Sequence, residues 1–262
     1  MSRTSARRVV LLCDLSLHTR ATAAALLRTE VNLVGILIIA GLSFADLLRL
    51  RRKCNSVSKL VFKMTAHLAI RPWNGRKDVK LYNQLFPRAE TEVAIVATDV
   101  RNGFYNCYSD PAAGKWLSNI HPDVLEVHSG YWASAKVRAA AGQGFARGGR
   151  PGDRGGYSSF LAILQGRLDQ VGWSLFHIGG VVGKSDVLAE GIFEAKAGDS
   201  FLPLDWRVMK QMTSTQAEVV KCYDRNEPVA ATPLSSTTDK TLYGFTLLGE
   251  LLRYKFNNNG IK

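Results

Sequence analysis

Short apolar runs that alternate with segments of helical periodicity are the feature that most constrains the fold of this chain. Val93–Ala97 reads VAIVA between polar residues, as expected of a strand buried on both faces of a parallel sheet. Residues 158–168 carry apolar side chains at helical spacing, and Trp173–Ile178 reads as a short strand that runs into a glycine turn. The alternation predicts an α/β protein with a mostly parallel sheet flanked by helices.

The remaining segments are interpreted by the same rules. Val187–Phe193 is expected to begin a helix, and Val219–Tyr223 to form a strand. Residues 141–156 contain seven glycines and are expected to form a surface loop rather than an RNA-binding segment. Val31–Ala45 is the most apolar run, but a membrane span needs about 20 apolar residues. We therefore expect a buried helix there, although the basic flank at 49–53 leaves a signal anchor open.

Positive charge is concentrated near the N-terminus. Residues 1–80 hold 15 Lys and Arg against 4 Asp and Glu, a net +11, whereas residues 81–262 hold 19 against 18, a net +1. Residues 1–29 are also rich in Ser, Thr and Ala, a composition typical of an organelle transit peptide. We therefore divide the chain into 1–30, a basic arm or transit segment, and 31–262, the α/β domain. The arm is expected to be removable without loss of the fold.

The four cysteines do not form a recognisable metal or disulfide pattern. They lie far apart, at Cys13, Cys54, Cys107 and Cys222, and none forms a C-x-x-C pair. We interpret them as mostly buried thiols and expect no metal and no cofactor.

Four separated pieces of the sequence occur in an order that resembles the fungal-type (class three) lipases of the α/β-hydrolase fold. They are EVAIVATD (92–99), KWLSNI with VHSGYWASA (115–120 and 127–135), SLFHIGGVVGKSD (174–186) and VVKCYDRNEPVAATP (219–233). The aromatic segment at 243–255 follows. The resemblance covers roughly residues 81–255 and implies an α/β-hydrolase-like fold with ester hydrolysis as its activity.

The resemblance also implies a serine nucleophile on a strand-to-helix turn, assisted by a histidine and an acid. The expected nucleophile position reads Asp153, and Ser158 is the displaced candidate beyond it. Ser174 is a second candidate with half of a G-x-S-x-G signature. Glu227 occupies the position of the triad acid, in a loop fixed by two prolines. The catalytic candidates are therefore Ser158 and Glu227.

The resemblance leaves the site incomplete. No histidine matches the general base: His128 and His177 fall at structural positions, and the other three, His18, His67 and His121, fall outside any matching motif. Asp99 lies in the segment that should stabilise an oxyanion, where a negative charge is repulsive. We expect a lipase-like serine esterase that is weak or inactive, acting on lipid or ester substrates. The alternatives are a catalytically dead lipid- or protein-binding relative and, in a different class, a nucleic-acid-binding protein. Nucleic acid is the less favoured partner, and residues 1–53 can support organelle targeting or membrane contact.

Overall fold

A computed structural model describes the chain over residues 7–13, 17–29, 31–39, 76–87, 101–105, 111–128, 143–148, 169, 171–178, 186–195, 199 and 201–233. These residues form one seven-stranded sheet with the order β3-β2-β1-β4-β5-β6-β7. The strands are β1 (Arg8–Cys13), β2 (Asn32–Ile39), β3 (Arg101–Tyr105), β4 (Val124–His128), β5 (Gln143–Gly148), β6 (Gly172–His177) and β7 (Val187–Ile192).

The first five strands are parallel, and the last two reverse direction in turn. β3, β2, β1, β4 and β5 pair in parallel, β6 pairs antiparallel to β5, and β7 pairs antiparallel to β6. The carboxyl ends of the five parallel strands therefore lie on one edge of the sheet, which we call the carboxyl edge. The opposite, amino edge carries the end of β6, since His177 pairs with Phe145 near the start of β5.

Helices cover both faces of this sheet. They are α1 (Leu17–Leu27), α2 (helical over 76–85), α3 (Pro111–Ile120) and α4 (Phe201–Asp224). The face that we call the α1 face is covered by α1, α2 and α4, and the opposite α3 face is covered by α3. Alternate residues of β1 serve the two sides: Val9 and Leu11 pack on the α1 face, and Val10 and Leu12 pack on the α3 face. This arrangement confirms the predicted α/β class with a mostly parallel sheet flanked by helices.

The N-terminal segment is a structural part of the core. Every residue from Val9 to Cys13 is at most 1% exposed, because β1 lies between β2 and β4 with helices on both faces. The interpretation of this segment as a removable arm is therefore wrong: its arginines flank a fully buried apolar strand. Whether residues 1–30 also direct the chain to an organelle stays a prediction.

Helix α4 runs over 24 residues and crosses the whole α1 face. Its core-facing side chains recur every three or four residues: Trp206, Met209, Thr213, Gln216, Val220 and Tyr223. At its carboxyl end, Asp224 Oδ1 accepts a hydrogen bond of 2.7 Å from the backbone N–H of Arg7. Because Arg7 precedes β1, α4 ends at the amino edge and begins near the carboxyl edge.

Several sequence-based assignments change type in the structure. Residues 32–39 form β2 rather than a helix, and 187–192 form β7 rather than the start of a helix. Residues 219–223 lie inside α4 rather than in a strand, and 143–148 form β5 within the expected loop. In each case pairing in the sheet or burial along a helix overrides the local composition.

Other assignments are confirmed or cannot be compared. The strand expected at Trp173–Ile178 is confirmed as β6, whose first four residues are buried. The strand expected at 93–97 and the helix expected at 158–168 lie outside the described residues. Within the part of the chain that the structure describes, no helix combines the length and the apolar character needed to cross a membrane.

Candidate functional site

The order of the strands creates a topological switch point between β1 and β4. From β1 the chain passes through α1 to β2 on one side, whereas β4, on the other side of β1, is reached through α3. α1 and α3 lie on opposite faces of the sheet, so their connections diverge at this point. In open α/β sheets, ligands bind in the crevice at the carboxyl ends of the strands where the order reverses.

The last residues of the two central strands meet at this crevice. Cys13 ends β1, His128 ends β4, and the two residues are paired in the parallel register. Cys13 is a fully buried thiol. A histidine at the carboxyl end of a central strand stands where α/β proteins place functional groups, and it can accept or donate a proton near neutral pH.

A histidine–carboxylate pair lies beside the same crevice. His18 is in the first turn of α1, which follows β1 after a connection of three residues. Its Nε2 lies 3.2 Å from Oδ2 of Asp205, which is in the first turns of α4. The two side chains are 26% and 28% exposed, so the pair is accessible from solvent.

A cluster of aromatic side chains packs against this histidine–carboxylate pair. The ring of His18 stands edge-on to Trp206, with 4.6 Å between ring centroids. Trp206 is fully buried and contacts the rings of Tyr82 and Phe86. Its Nε1 donates a hydrogen bond of 2.6 Å to Oδ1 of Asp78 in α2. Contacts among α1, α2 and α4 therefore hold Trp206, which packs against the imidazole of His18.

A buried carboxylate lies one step further into the sheet. Glu126 on β4 is completely buried, and it is paired in register with Leu11 of β1 and Phe145 of β5. A carboxylate is costly to bury, so a protein that retains one in its core has a structural or functional use for it. The sequence could have pointed to Glu126, because it is a single acidic residue within the otherwise apolar run VLEV.

The thiol of Cys222 is at the other end of the molecule and is not activated. Burial raises the pKa of Cys222, and the negative charge of Glu227 and a hydrogen bond with that carboxylate raise it further. Burial likewise raises the pKa of the Tyr223 hydroxyl. A thiol is nucleophilic as the thiolate, so a raised pKa makes Cys222 a poor nucleophile.

The structure describes only one of the two sequence-predicted catalytic residues, Glu227. Ser158 lies outside the described residues, so its role stays an untested prediction. Glu227 follows the end of α4, three residues after Asp224, at the amino edge and with half of its side chain exposed. Glu227 therefore follows a helix and lies at the edge of the sheet opposite the crevice. Ser174 is fully buried within β6, and His177 ends β6 at the amino edge.

Neither His18 nor Asp205 was singled out from the sequence. They are far apart in the chain, and neither lies in a recognised sequence motif. The contact arises because α1 packs against α4, so no local sequence motif predicts it.

Several solved structures of formyltransferases are similar in architecture to this chain. No family model and no curated protein matches the sequence. Among solved structures, the chain is similar to glycinamide ribonucleotide transformylase 1 from Symbiobacterium toebii, with a TM-score of 0.57 and 11% identity over 89% of this chain and 96% of that one. It is also similar to phosphoribosylglycinamide formyltransferase from Streptococcus pneumoniae, with a TM-score of 0.52 and 10% identity over 83% of this chain and 98% of that one. A 4-N formyltransferase from Francisella tularensis matches with a TM-score of 0.52 and 8% identity over 89% of this chain and 75% of that one.

These similarities correct the family assignment made from sequence. The resemblance to fungal-type lipases is wrong, and so are the serine esterase or pseudoenzyme function, the carboxylic ester hydrolase class and the lipid or ester substrates that it implied. The two alternatives, a lipid- or protein-binding relative and a nucleic-acid-binding protein, gain no support, and the basic segment proposed for membrane contact contains β1. At this level of identity the similarity establishes the fold alone, a mostly parallel α/β sheet flanked by helices.

Proposed function

We propose that this protein is a formyltransferase that moves a formyl group from an N-formyl tetrahydrofolate to an amine. The observation that carries the proposal is the structural similarity of this chain to two formyltransferases over nearly their whole length, 96% of the Symbiobacterium toebii enzyme and 98% of the Streptococcus pneumoniae enzyme. A sugar 3-N-formyltransferase of the same fold, with a TM-score of 0.53, was solved with 5-N-formyl-tetrahydrofolate. The enzyme class that follows is a transferase rather than a hydrolase.

The chemistry of formyl transfer suits the crevice between β1 and β4. The amine nitrogen attacks the formyl carbon, and a tetrahedral intermediate with a negative oxygen forms. The bond from carbon to the donor nitrogen then breaks, the acceptor loses a proton and the departing tetrahydrofolate nitrogen gains one. These reaction steps need groups that move protons near neutral pH, and histidine is the side chain best suited to that task. His128 ends β4 at the switch point, where a bound donor would lie.

The test is transfer by the full chain from N-formyl tetrahydrofolate to two amines, glycinamide ribonucleotide and an amino-sugar nucleotide. Formylated amine is detected by mass spectrometry, and binding of 5-formyl-tetrahydrofolate is measured by calorimetry. We expect donor binding, product with at least one amine, and a loss of about 100-fold or more in kcat for His128→Gln.

The matched control is His177→Gln, the same change at the opposite edge of the sheet. The backbone N–H of His177 bonds to the carbonyl of Asp186, so this substitution leaves the strand pairing in place. Its activity should equal that of wild type. Absence of both donor binding and product would refute the proposed function, and equal loss in the two variants would refute the location of the site.

A further inference from the structure

We propose that the pair of His18 and Asp205 is the proton-accepting device for the amine substrate, with His18 as a catalytic residue and Asp205 as its positioning residue. The inference rests on the proposed formyl transfer and adds a specific role to two residues that the strand topology alone does not single out. The observation behind it is a histidine that contacts one carboxylate through a single ring nitrogen at the rim of the crevice.

The contact with Asp205 determines which nitrogen of His18 can act. A neutral imidazole has one N–H and one lone pair. The carboxylate of Asp205 only accepts hydrogen bonds, so it favours the N–H on Nε2, the nitrogen 3.2 Å away. The lone pair is then on Nδ1, which has no protein partner among the residues that the structure describes. Nδ1 is therefore left available to receive a proton from a ligand.

The surroundings of the pair hold the ring of His18 and leave part of its surface exposed. Trp206 contacts the ring of His18 edge-on, and Trp206 is itself fixed by burial and by its bond to Asp78. About a quarter of each side chain of the pair remains exposed. A fixed orientation together with partial exposure is what a group needs in order to act on a bound substrate.

The position of His18 fits the side from which an acceptor amine would enter. His18 is five positions beyond Cys13, the last residue of β1, and lies in the first turn of the helix that borders the switch point. A donor that occupies the crevice at the ends of β1 and β4 would thus have His18 at the rim. The amine would approach between the two.

The proposed step balances in atoms and charge. The amine nitrogen forms a bond to the formyl carbon while one of its protons passes to Nδ1 of His18. The carbon–nitrogen bond of the donor then breaks, and the proton on Nδ1 passes to the departing tetrahydrofolate nitrogen, which returns the histidine to its neutral form. The carboxylate of Asp205 stabilises the imidazolium while it exists.

The deciding variant is His18→Gln. The glutamine amide offers an N–H group close to the place of Nε2 of histidine, so the contact between α1 and α4 is kept, but no group replaces the lone pair of Nδ1. We expect kcat for formyl transfer to fall about 100-fold or more, with KM for the amine changed much less, because general base catalysis contributes about 10²–10⁴-fold. Asp205→Asn should cause a smaller fall in kcat. A merely structural pair would leave His18→Gln at wild-type kcat.

A second variant tests the proton transfer directly. In His18→Ala the imidazole is removed from an accessible position, so added imidazole should restore part of the lost activity. It should not restore activity to His18→Gln, whose side chain fills the space. His177→Gln serves again as the control that imidazole does not stimulate.

The outcomes separate this inference from the proposed function. Turnover by wild type with His18→Gln at more than half of that rate overturns the role of the pair and leaves formyl transfer standing. A large loss in His18→Gln without rescue of His18→Ala by imidazole overturns proton transfer as the reason. Absence of donor binding and of turnover in wild type removes the proposed function and this inference with it.

Discussion

Removing the side chain of Leu11 should destabilise the protein strongly, because this residue lies at the centre of the sheet. Leu11 is completely buried, it pairs with Ile36 of β2 and Glu126 of β4, and it packs on the α1 face. Replacing a buried leucine by alanine costs about 2–5 kcal/mol. Helices and strands on all sides leave little room for collapse into the cavity, so we expect the upper half of that range for Leu11→Ala.

Deleting the strand should remove the fold altogether. The five residues from Val9 to Cys13 are all at most 1% exposed. At about 1.5–3 kcal/mol for each fully buried apolar side chain, their loss amounts to roughly 8–15 kcal/mol. That is comparable with the whole stability of a typical domain, about 5–15 kcal/mol. The deletion would also leave β2 and β4 without the strand that joins them.

Urea unfolding followed by tryptophan fluorescence measures both effects. Arg8→Ala is the control, because the Arg8 side chain is exposed and its backbone N–H keeps the bond to Asp123; it should shift the free energy of unfolding by no more than about 0.5 kcal/mol. A chain that begins at residue 14 and still unfolds cooperatively would refute the central position of β1. So would a cost below about 1 kcal/mol for Leu11→Ala.

Three further predictions concern single contacts. Asp78→Ala should lower the free energy of unfolding, measured in urea, by about 1–3 kcal/mol, because it leaves the buried indole N–H of Trp206 without its acceptor. The same substitution in a Trp206→Phe background should cost less. Equal costs in the two backgrounds would contradict the hydrogen bond between Trp206 and Asp78. Gly191→Ala should cost about 1–3 kcal/mol, since its new Cβ would lie 2.5 Å from Nε1 of Trp173; an unchanged melting temperature would contradict that close approach. Cys222 should react with iodoacetamide near neutral pH more slowly than a free cysteine, because burial and Glu227 raise its pKa and so reduce the thiolate; faster alkylation would contradict this reading.

Local pattern predicted the fold class and β6 but misjudged elements whose identity depends on distant partners. Val187–Phe193 was interpreted as the start of a helix. It is a strand, because it pairs antiparallel with β6 and only Val187 among its residues is fully buried. VVKCY has the composition of a strand, yet its buried residues Val219, Val220 and Tyr223 continue the helical spacing of α4. A window of five residues is too short to distinguish the two periods.

The N-terminal strand was missed for an electrostatic reason. The arginines near VVLLC dominate the composition of the first 30 residues and suggested an unstructured segment. In the fold the backbone N–H of Arg7 bonds to Asp224 and that of Arg8 bonds to Asp123, so both residues anchor the start of β1 at the amino edge. Their charges are at the rim of the sheet while the apolar run enters the core. The composition of the first 30 residues averages over the charged and apolar parts and so does not show where the buried strand begins.

The candidate site shows the same limit more sharply, because its parts come from separate elements. His18, Asp78, Asp205 and Trp206 meet only after α1, α2 and α4 pack on one face of the sheet. Their contact depends on the order of the strands, since α1 begins where β1 ends and α4 crosses that same face from the carboxyl edge to the amino edge. The strand order also determines where the crevice opens. A sequence motif can report chemistry that one segment carries, whereas here the topology brings the imidazole, its carboxylate and the crevice together, and so the site could be proposed only once the sheet was known.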